Sequence, residues 1–247
     1  NAVSVADGNR LAFDVSSLVS NPVFLVTGGE SVAGTTYGSL LPLSAQASAS
    51  GNVVTGHFES ISDSNLATAA GNARAYGQDA VSFADGNHLT FETAISVSNS
   101  TLEFYGGYSA AESASGDLQT AQASASGNEV SGRFESVSDS TISMVAGSAA
   151  AYGQDVVALA DGNHLDLEIS SLSSSDDSGD DSSDVFSVIG GNSVIGSLGV
   201  ASLLLSAQTS ASGNEVSGRV ESISDSFISM VAGSASAYGQ KAVSSAD

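Results

Sequence analysis

Carboxylate side chains are concentrated in one short segment of the sequence, residues 174–184. The aspartates of this segment are Asp176, Asp177, Asp180, Asp181 and Asp184. Carboxylate oxygens are the ligands that Ca²⁺ prefers, but no Glu closes the twelve-residue frame of an EF-hand here. Two interpretations follow, a calcium site and a solvated acidic insertion, and the composition favours the insertion. The only cofactor we consider is therefore calcium.

The turn aspartates of the repeats are a second set of candidate oxygen ligands. We interpret them as turn formers that bond their own backbone, with calcium between repeats as the alternative. They are Asp7, Asp85, Asp161, Asp63, Asp139 and Asp225.

The three histidines do not form a pattern typical of catalysis. Alignment of the internal repeats shows two positions that hold either His or Arg. One position holds His57, Arg133 and Arg219, and the other holds Arg10, His88 and His164. A residue that alternates with Arg is better explained as a cation on a solvent-facing surface than as a general base. Cys is absent and no Gly-rich phosphate loop precedes a helix, so we expect that the protein is not an enzyme.

The net charge of −22 rests on only five Lys and Arg residues. Such a surface repels nucleic acid and anionic membranes, which we exclude as partners. The most apolar stretch, Val194–Leu205, is too short to cross a bilayer, so we expect no membrane insertion. Arg133 and Arg219 lie two residues from Glu135 and Glu221 on the same strand face, and we expect these cations to form cross-strand or inter-subunit pairs.

Internal repetition organises the whole chain. The sequence ASGNEVSGR at Ala125–Arg133 recurs at Ala211–Arg219, and ISMVAGSA at Ile142–Ala149 recurs at Ile228–Ala235. We divide the chain into unit 1 (1–78), unit 2 (79–154), unit 3 with the acidic insertion (155–240) and the start of a fourth repeat (241–247). A free unit of about 80 residues would be marginally stable, so we expect the units to share surfaces.

Apolar and polar residues alternate with the period of β-strands. Taking Asp85-Gly86-Asn87 as a three-residue loop and Gly127-Asn128 as a two-residue loop sorts the apolar residues onto one face of each hairpin. The apolar phase slips between Phe134 and Val137, which predicts a bulge or a strand that changes sheets. The predicted fold is all-β, with three tandem antiparallel β-meander units packed as β-sandwich-like repeats. The alternative is a β-solenoid or β-roll.

One segment carries a resemblance to a known family. Ala73–Asn87 (ARAYGQDAVSFADGN) resembles the Ala/Gly/Ser repeats in the heads of trimeric autotransporter adhesins of bacteria. The resemblance covers about 15 residues of each unit and implies an extracellular or cell-surface location. Strands of that family wind as a left-handed roll, whereas the loop parity here favours antiparallel pairing. Asn99 begins an N-glycosylation sequon, Asn99-Ser100-Thr101, which fits the same location.

The repetition favours a structural function. We expect a secreted, self-assembling subunit of an extracellular filament, a homo-oligomer that stacks head to tail in a helical fibre. The start of the fourth repeat would supply a strand that pairs with a neighbouring subunit. This strand comprises Lys241, Ala242, Val243, Ser244, Ser245, Ala246 and Asp247.

Two alternatives to the filament remain open. One is an adhesin or calcium-dependent module that binds a carbohydrate or another surface ligand through the segments that differ between units. Those segments are 14–43, 93–119 and 169–205. The other is that the chain is a slice of a longer repetitive surface protein.

Overall fold

The structure, a computed structural model, describes residues 2–19, 22–34, 44–113, 120–153, 155–173, 184–196, 206–224, 226–237 and 242–246. Within these ranges every regular element is a β-strand, so the all-β class is confirmed. No helix of the described residues is long and apolar enough to span a membrane.

The described residues contain twenty strands, which form three sheets, A, B and C. Sheet A contains β1 (Ala2–Val5), β4 (Ser44–Ser48), β7 (Asp79–Phe83), β10 (Thr120–Ser124), β13 (Asp155–Leu159), β16 (Ser206–Ala211) and β20 (Ala242–Ala246). Sheet B contains β2 (Arg10–Val19), β5 (Val53–Ser62), β8 (His88–Ser98), β11 (Glu129–Ser138), β14 (His164–Ser173), β17 (Glu215–Val220) and the short β18 (Ile223–Ser224). Sheet C contains β3 (Val23–Gly34), β6 (Asn65–Gly77), β9 (Thr101–Ser113), β12 (Thr141–Tyr152), β15 (Asp184–Gly196) and β19 (Ser226–Ala237).

Apart from β17 and the short β18, which both pair with β14, consecutive strands lie in different sheets, and every strand pair among the described residues is parallel. For example, β4 pairs with β1 and β7, and β5 pairs with β2 and β8. One passage through sheets A, B and C is a coil, and coils 1 to 6 begin at β1, β4, β7, β10, β13 and β16. Strand β20 takes the sheet A position of a seventh coil. The architecture is therefore a parallel β-solenoid.

The predicted antiparallel meanders are wrong, and the solenoid alternative describes the chain. The number of residues in a loop determines only whether the next side chains face the core or the solvent. A hairpin and a corner that leads into another sheet give the same result, so this test cannot distinguish them. The two loop types predicted from parity are in fact one corner. Gly86 and Gly127 adopt the same left-handed backbone, with φ of 62° and 63°, and each corner leads from sheet A into sheet B.

The predicted irregularity in the apolar phase is confirmed. The register between β8 and β11 shifts between Phe134 and Val137, because Thr93 pairs with Phe134 and Val97 pairs with Val137. Strand β8 therefore holds one residue more than β11 in this interval, which is a β-bulge. On β11 the inward-facing side switches at the same place, since Phe134 and Val137 are both buried.

The sequence units correspond to pairs of coils. Asp79 and Asp155 are the first residues of β7 and β13, so the repeat of about 80 residues spans two coils. The core explains this period. One inward-facing position of sheet B alternates between a large residue in odd coils and Gly in even coils. These residues are Phe13, Gly56, Phe91, Gly132, Leu167 and Gly218.

Glycine is required in the even coils because the neighbouring large side chains fill its space. A Cβ on Gly56 would lie 2.4 Å from the ring of Phe13, and one on Gly132 would lie 2.6 Å from Met144 Cε. Stacked aromatic rings such as Phe91 and Phe104, with centroids 4.4 Å apart, fill the space between sheet B and the first half of sheet C. Alanines fill the thinner space between sheet A and the second half of sheet C.

Candidate functional surfaces

A ladder of stacked asparagines lies at the corner between sheets A and B. In the middle of the ladder the backbone N–H and the side-chain Nδ2 of Asn87 both donate to Asn128 Oδ1, at 2.9 and 3.0 Å. The same two atoms of Asn128 donate to Asn163 Oδ1, at 2.9 and 3.1 Å. Every bond points from one coil to the next, so the ladder has a direction. Its members are Asn9, Asn52, Asn87, Asn128, Asn163 and Asn214.

Sheet C closes over this ladder at a glycine in each coil. A Cβ on Gly107 would lie 2.1 Å from the carbonyl oxygen of Ala84 and 2.7 Å from the side chain of Asn128. Glycine is therefore needed for the close approach of the strand to the corner, and this approach buries the ladder. The contact also divides the core into its aromatic and alanine halves.

The aspartates at the same corner bond the neighbouring coils. Asp85 Oδ1 accepts hydrogen bonds from Ser124 Oγ and from the backbone N–H of Ser126, both at 2.7 Å. The N–H of Asp85 donates to Ser50 Oγ of the preceding coil at 3.1 Å. Asp7 and Asp161 each accept the same two bonds from the next coil. The interpretation that these aspartates bond their own backbone is wrong, because the parallel stacking places the next coil's donors within reach.

No group of three or more His, Asp or Glu side chains suited to a metal ion occurs among the described residues. Four of the predicted calcium ligands, Asp176, Asp177, Asp180 and Asp181, lie outside those residues. Asp184 begins β15, where its backbone pairs with Ser226, and its side chain lies outside the described part.

Serines stack at the corner between sheets B and C. The N–H of Ser64 donates to Ser100 Oγ at 3.2 Å, and the N–H of Ser100 donates to Ser140 Oγ at 3.1 Å. The residue before each serine has a left-handed backbone, including the sequon residue Asn99 with φ of 46°. Asn99 is exposed at this corner, so its side chain lies on the surface of the solenoid.

The outer face of sheet B carries two columns of charged residues that run along the solenoid axis. In the first column Val53 is the only member without an ionisable side chain, and the second column alternates acidic with basic residues. The first column is Arg10, Val53, His88, Glu129, His164 and Glu215. The second column is Asp14, His57, Glu92, Arg133, Glu168 and Arg219.

Ion pairs within the columns join successive coils. His88 Nδ1 lies 3.0 Å from Glu129 Oε2, and Arg133 Nε lies 3.6 Å from Glu168 Oε2. The predicted cross-strand pairing is seen for Arg133, which pairs with Glu168 of the next coil, whereas Arg219 lies 3.0 Å from Glu221 of its own coil. Exposed pairs of this kind contribute about 0–1 kcal/mol each, so the columns fix register more than they add stability.

The two ends of the described solenoid differ from its middle. Phe13 and Phe24 of coil 1 are only partly buried, whereas Phe91 and Phe104 in coil 3 are fully buried. In coil 6, Asn214 Nδ2 is buried and has no hydrogen-bond partner among the described residues.

The predicted assembly strand extends sheet A at the coil 6 end. Ala242–Ala246 forms β20, which pairs with β16 of the same chain and has no partner strand on its other edge among the described residues. Val243 on this strand is 61% exposed. Lys241 and Asp247 lie outside the described residues.

A hollow of about 310 Å³ lies on the outer face of sheet C. It is lined by Ala69, Asn72, Arg74, Tyr105 and Tyr108. The guanidinium carbon of Arg74 lies 5.4 Å from the ring centroid of Tyr108, which is a cation–π contact. Burial, followed by the charge of Glu103, raises the pKa of Tyr105 above its ordinary value. We call this hollow the tyrosine site.

Sequence reasoning did not single out the tyrosine site. Asn72 and Arg74 come from β6 and the two tyrosines from β9, so only the parallel register of these strands brings them together. Tyr105 and Tyr108 do fall in segment 93–119, one of those that differ between units.

No family model, curated protein or solved structure matches this chain.

Proposed function

We propose that the chain is a structural subunit of an extracellular filament or surface fibre, assembled by stacking of solenoids head to tail. The observation that carries this proposal is the complementarity of the two end coils. Coil 6 ends its charged columns with Glu215 and Arg219, and coil 1 begins them with Arg10 and Asp14. Stacking coil 1 of one copy on coil 6 of another continues both columns with opposite charges in contact.

The asparagine ladder supports the same polarity. Asn214 Nδ2 is a buried donor without a partner among the described residues, and leaving such a donor unpaired costs about 1–3 kcal/mol. In each of the other five asparagines of the ladder, the side-chain Nδ2 donates to the Oδ1 of the asparagine in the following coil. Asn9 of a second copy would present that acceptor in the same register.

Strand β20 constrains how the ends meet. It fills the sheet A position of a seventh coil, which β1 of the next copy would otherwise take. Its sequence AVSSA matches AVSVA at Ala2–Ala6 in four of five residues. In the proposed contact β20 replaces β1 of the neighbour, so sheet A continues from β20 to the neighbour's β4. This is an exchange of strands, because β1 pairs with β4 within one chain and must leave it for β20 to take its place.

Negative-stain electron microscopy of the purified protein, with and without a calcium chelator, tests the proposal. We expect filaments that persist in chelator. The variant Arg219→Glu places like charges at the contact and should slow assembly, and Asp14→Arg in the same chain should restore it. Arg133→Glu is the matched control, because it makes the same change in the middle of the same column.

Other outcomes distinguish the alternatives. Filaments lost in chelator would favour a calcium-dependent contact. Single particles in both conditions would contradict self-assembly and would favour a ligand-binding module or a slice of a longer surface protein, in which further coils of the same chain satisfy the end coils. The tyrosine site is the observation that favours a binding module.

A further inference from the structure

The residues of the tyrosine site depart from the repeat that governs the rest of the solenoid. At the positions of Tyr105 and Tyr108, the other odd coils hold smaller or polar side chains. At the positions of Asn72 and Arg74, the other even coils hold Ser and Ala. The replaced positions are Thr27, Ile189, Glu30, Asn192, Ser148, Ser234, Ala150 and Ser236. Since the other coils stack without these four side chains, the scaffold does not require them.

Arg74 is available for a ligand. None of the ion pairs formed by the described residues includes Arg74, although the protein carries a large excess of acid. Its guanidinium carbon lies over the ring of Tyr108, 5.4 Å from the ring centroid, which places the group at the tyrosine site. A planar fork of N–H donors matches the two oxygens of a carboxylate.

Asn72 offers a complementary acceptor. Its Oδ1 is buried and has no hydrogen-bond donor among the described residues, and an unpaired buried acceptor of this kind is costly. The atom belongs to a side chain that lines the hollow, so a hydroxyl group of a bound molecule could donate to it once the amide turns toward the hollow.

The rings of Tyr105 and Tyr108 supply an aromatic surface beside these polar groups. The negative face of an aromatic ring attracts the polarised C–H groups of an apolar or sugar ring, as it attracts the positive edge of another aromatic ring. The hollow of about 310 Å³ lies at the lower end of the range for small-molecule sites, about 300–1,000 Å³. It therefore fits a ligand of one or two rings.

We propose that the tyrosine site binds an acidic saccharide, a pyranose ring that carries a carboxylate. The ring stacks on the tyrosines, the carboxylate accepts two hydrogen bonds from Arg74, and a ring hydroxyl donates to Asn72 Oδ1. The binding needs only coils 2 and 3 and does not depend on how the ends of the solenoid are completed.

Tyrosine fluorescence and isothermal titration measure the binding, because the chain has no Trp to dominate the emission. The probes are methyl glucuronide, the neutral methyl glucoside, and benzoate as a carboxylate without a sugar ring. We expect the glucuronide to bind best. Arg74→Gln should weaken glucuronide binding about tenfold or more and leave the glucoside nearly unchanged, since hydrogen bonds to charged groups are the stronger ones.

Two further variants keep the result interpretable. Tyr108→Ala should weaken binding of both sugars, whereas Tyr152→Ala, a change on the outer face of the same sheet outside the hollow, should leave both unchanged. Thermal unfolding of each variant checks that it folds. The proposal is overturned if the glucuronide does not bind, if Arg74→Gln binds it as the unaltered protein does, or if benzoate binds as tightly as the glucuronide.

Discussion

Removal of one buried rung of the asparagine ladder should destabilise the protein far more than removal of the end rung. Asn128 Oδ1 accepts both the backbone N–H and the Nδ2 of Asn87, which is 1% exposed. Asn128→Ala therefore leaves two buried donors without an acceptor. Each costs about 1–3 kcal/mol, so the free energy of unfolding should fall by about 2–6 kcal/mol.

Asn9→Ala is the matched control at the exposed end of the ladder. Its Nδ2 donates to Ala6 O and to Asn52 Oδ1, both at 2.9 Å. Asn52 Oδ1 still accepts the backbone N–H of residue 9 in this variant, at 2.9 Å in the unaltered protein. No buried donor is orphaned, so the expected loss is about 1 kcal/mol or less.

Urea denaturation measures the difference between the two variants. With a slope of about 3 kcal/mol per M, the midpoint for Asn128→Ala should fall by about 0.7–2 M. Because stacked repeats can unfold in parts, hydrogen exchange at the amide of Asn87 supplies a local measurement and should accelerate in this variant. Equal midpoints for the two variants, with unchanged exchange at Asn87, would refute the assignment of the ladder as a stabilising element.

Three further predictions concern the core, the tyrosine site and the charged columns. Gly107→Ala should lower the free energy of unfolding by about 1–3 kcal/mol in thermal or urea unfolding, because its Cβ would lie 2.1 Å from a backbone carbonyl oxygen; an unchanged midpoint would contradict the close approach. Ultraviolet titration should show Tyr105 ionising above the ordinary tyrosine value of 10.0, with Glu103→Gln lowering its pKa; the stability this group contributes is complete below pH 10.0 and is lost as the pH rises through the raised value. Arg133→Glu should cost up to about 1 kcal/mol at low salt and less at high salt, because it places like charges beside Glu92 and Glu168; a loss that does not change with salt would argue against the pairing along the column.

Much of the local structure follows from the sequence alone. The alternation of apolar and polar residues determines strands, and the Gly of each Gly-Asn corner determines where they end, since glycine adopts the left-handed backbone at least cost. The slip in apolar phase between Phe134 and Val137 marks the place where the register of β11 with β8 shifts. The positions that alternate between His and Arg indicate a charged, solvent-facing column. These are properties of a residue and its nearest neighbours along the chain.

Strand pairing could not be obtained in this way. An inward-facing residue such as Phe91 stays inward whether its strand turns back as a hairpin or turns a corner into another sheet. The partners of Phe91 in sheet B are Gly56 and Gly132, residues about 35 and 41 positions away. The repeat has a period of two coils because a large side chain in one coil packs over a glycine in the next. This contact exists only between strands that are neighbours in the sheet.

The functional surfaces show the same difference between what the sequence determines and what only the tertiary structure determines. The sequence by itself determined an acidic, repetitive β-protein whose corner residues recur, because composition and local periodicity are written in order along the chain. Only the tertiary structure decided that Asp85 bonds serines of the coils on either side, and that Arg74 meets Tyr108. The reason is that in a parallel solenoid one full coil separates residues that touch, so contact is set by the length of each coil and not by any local pattern.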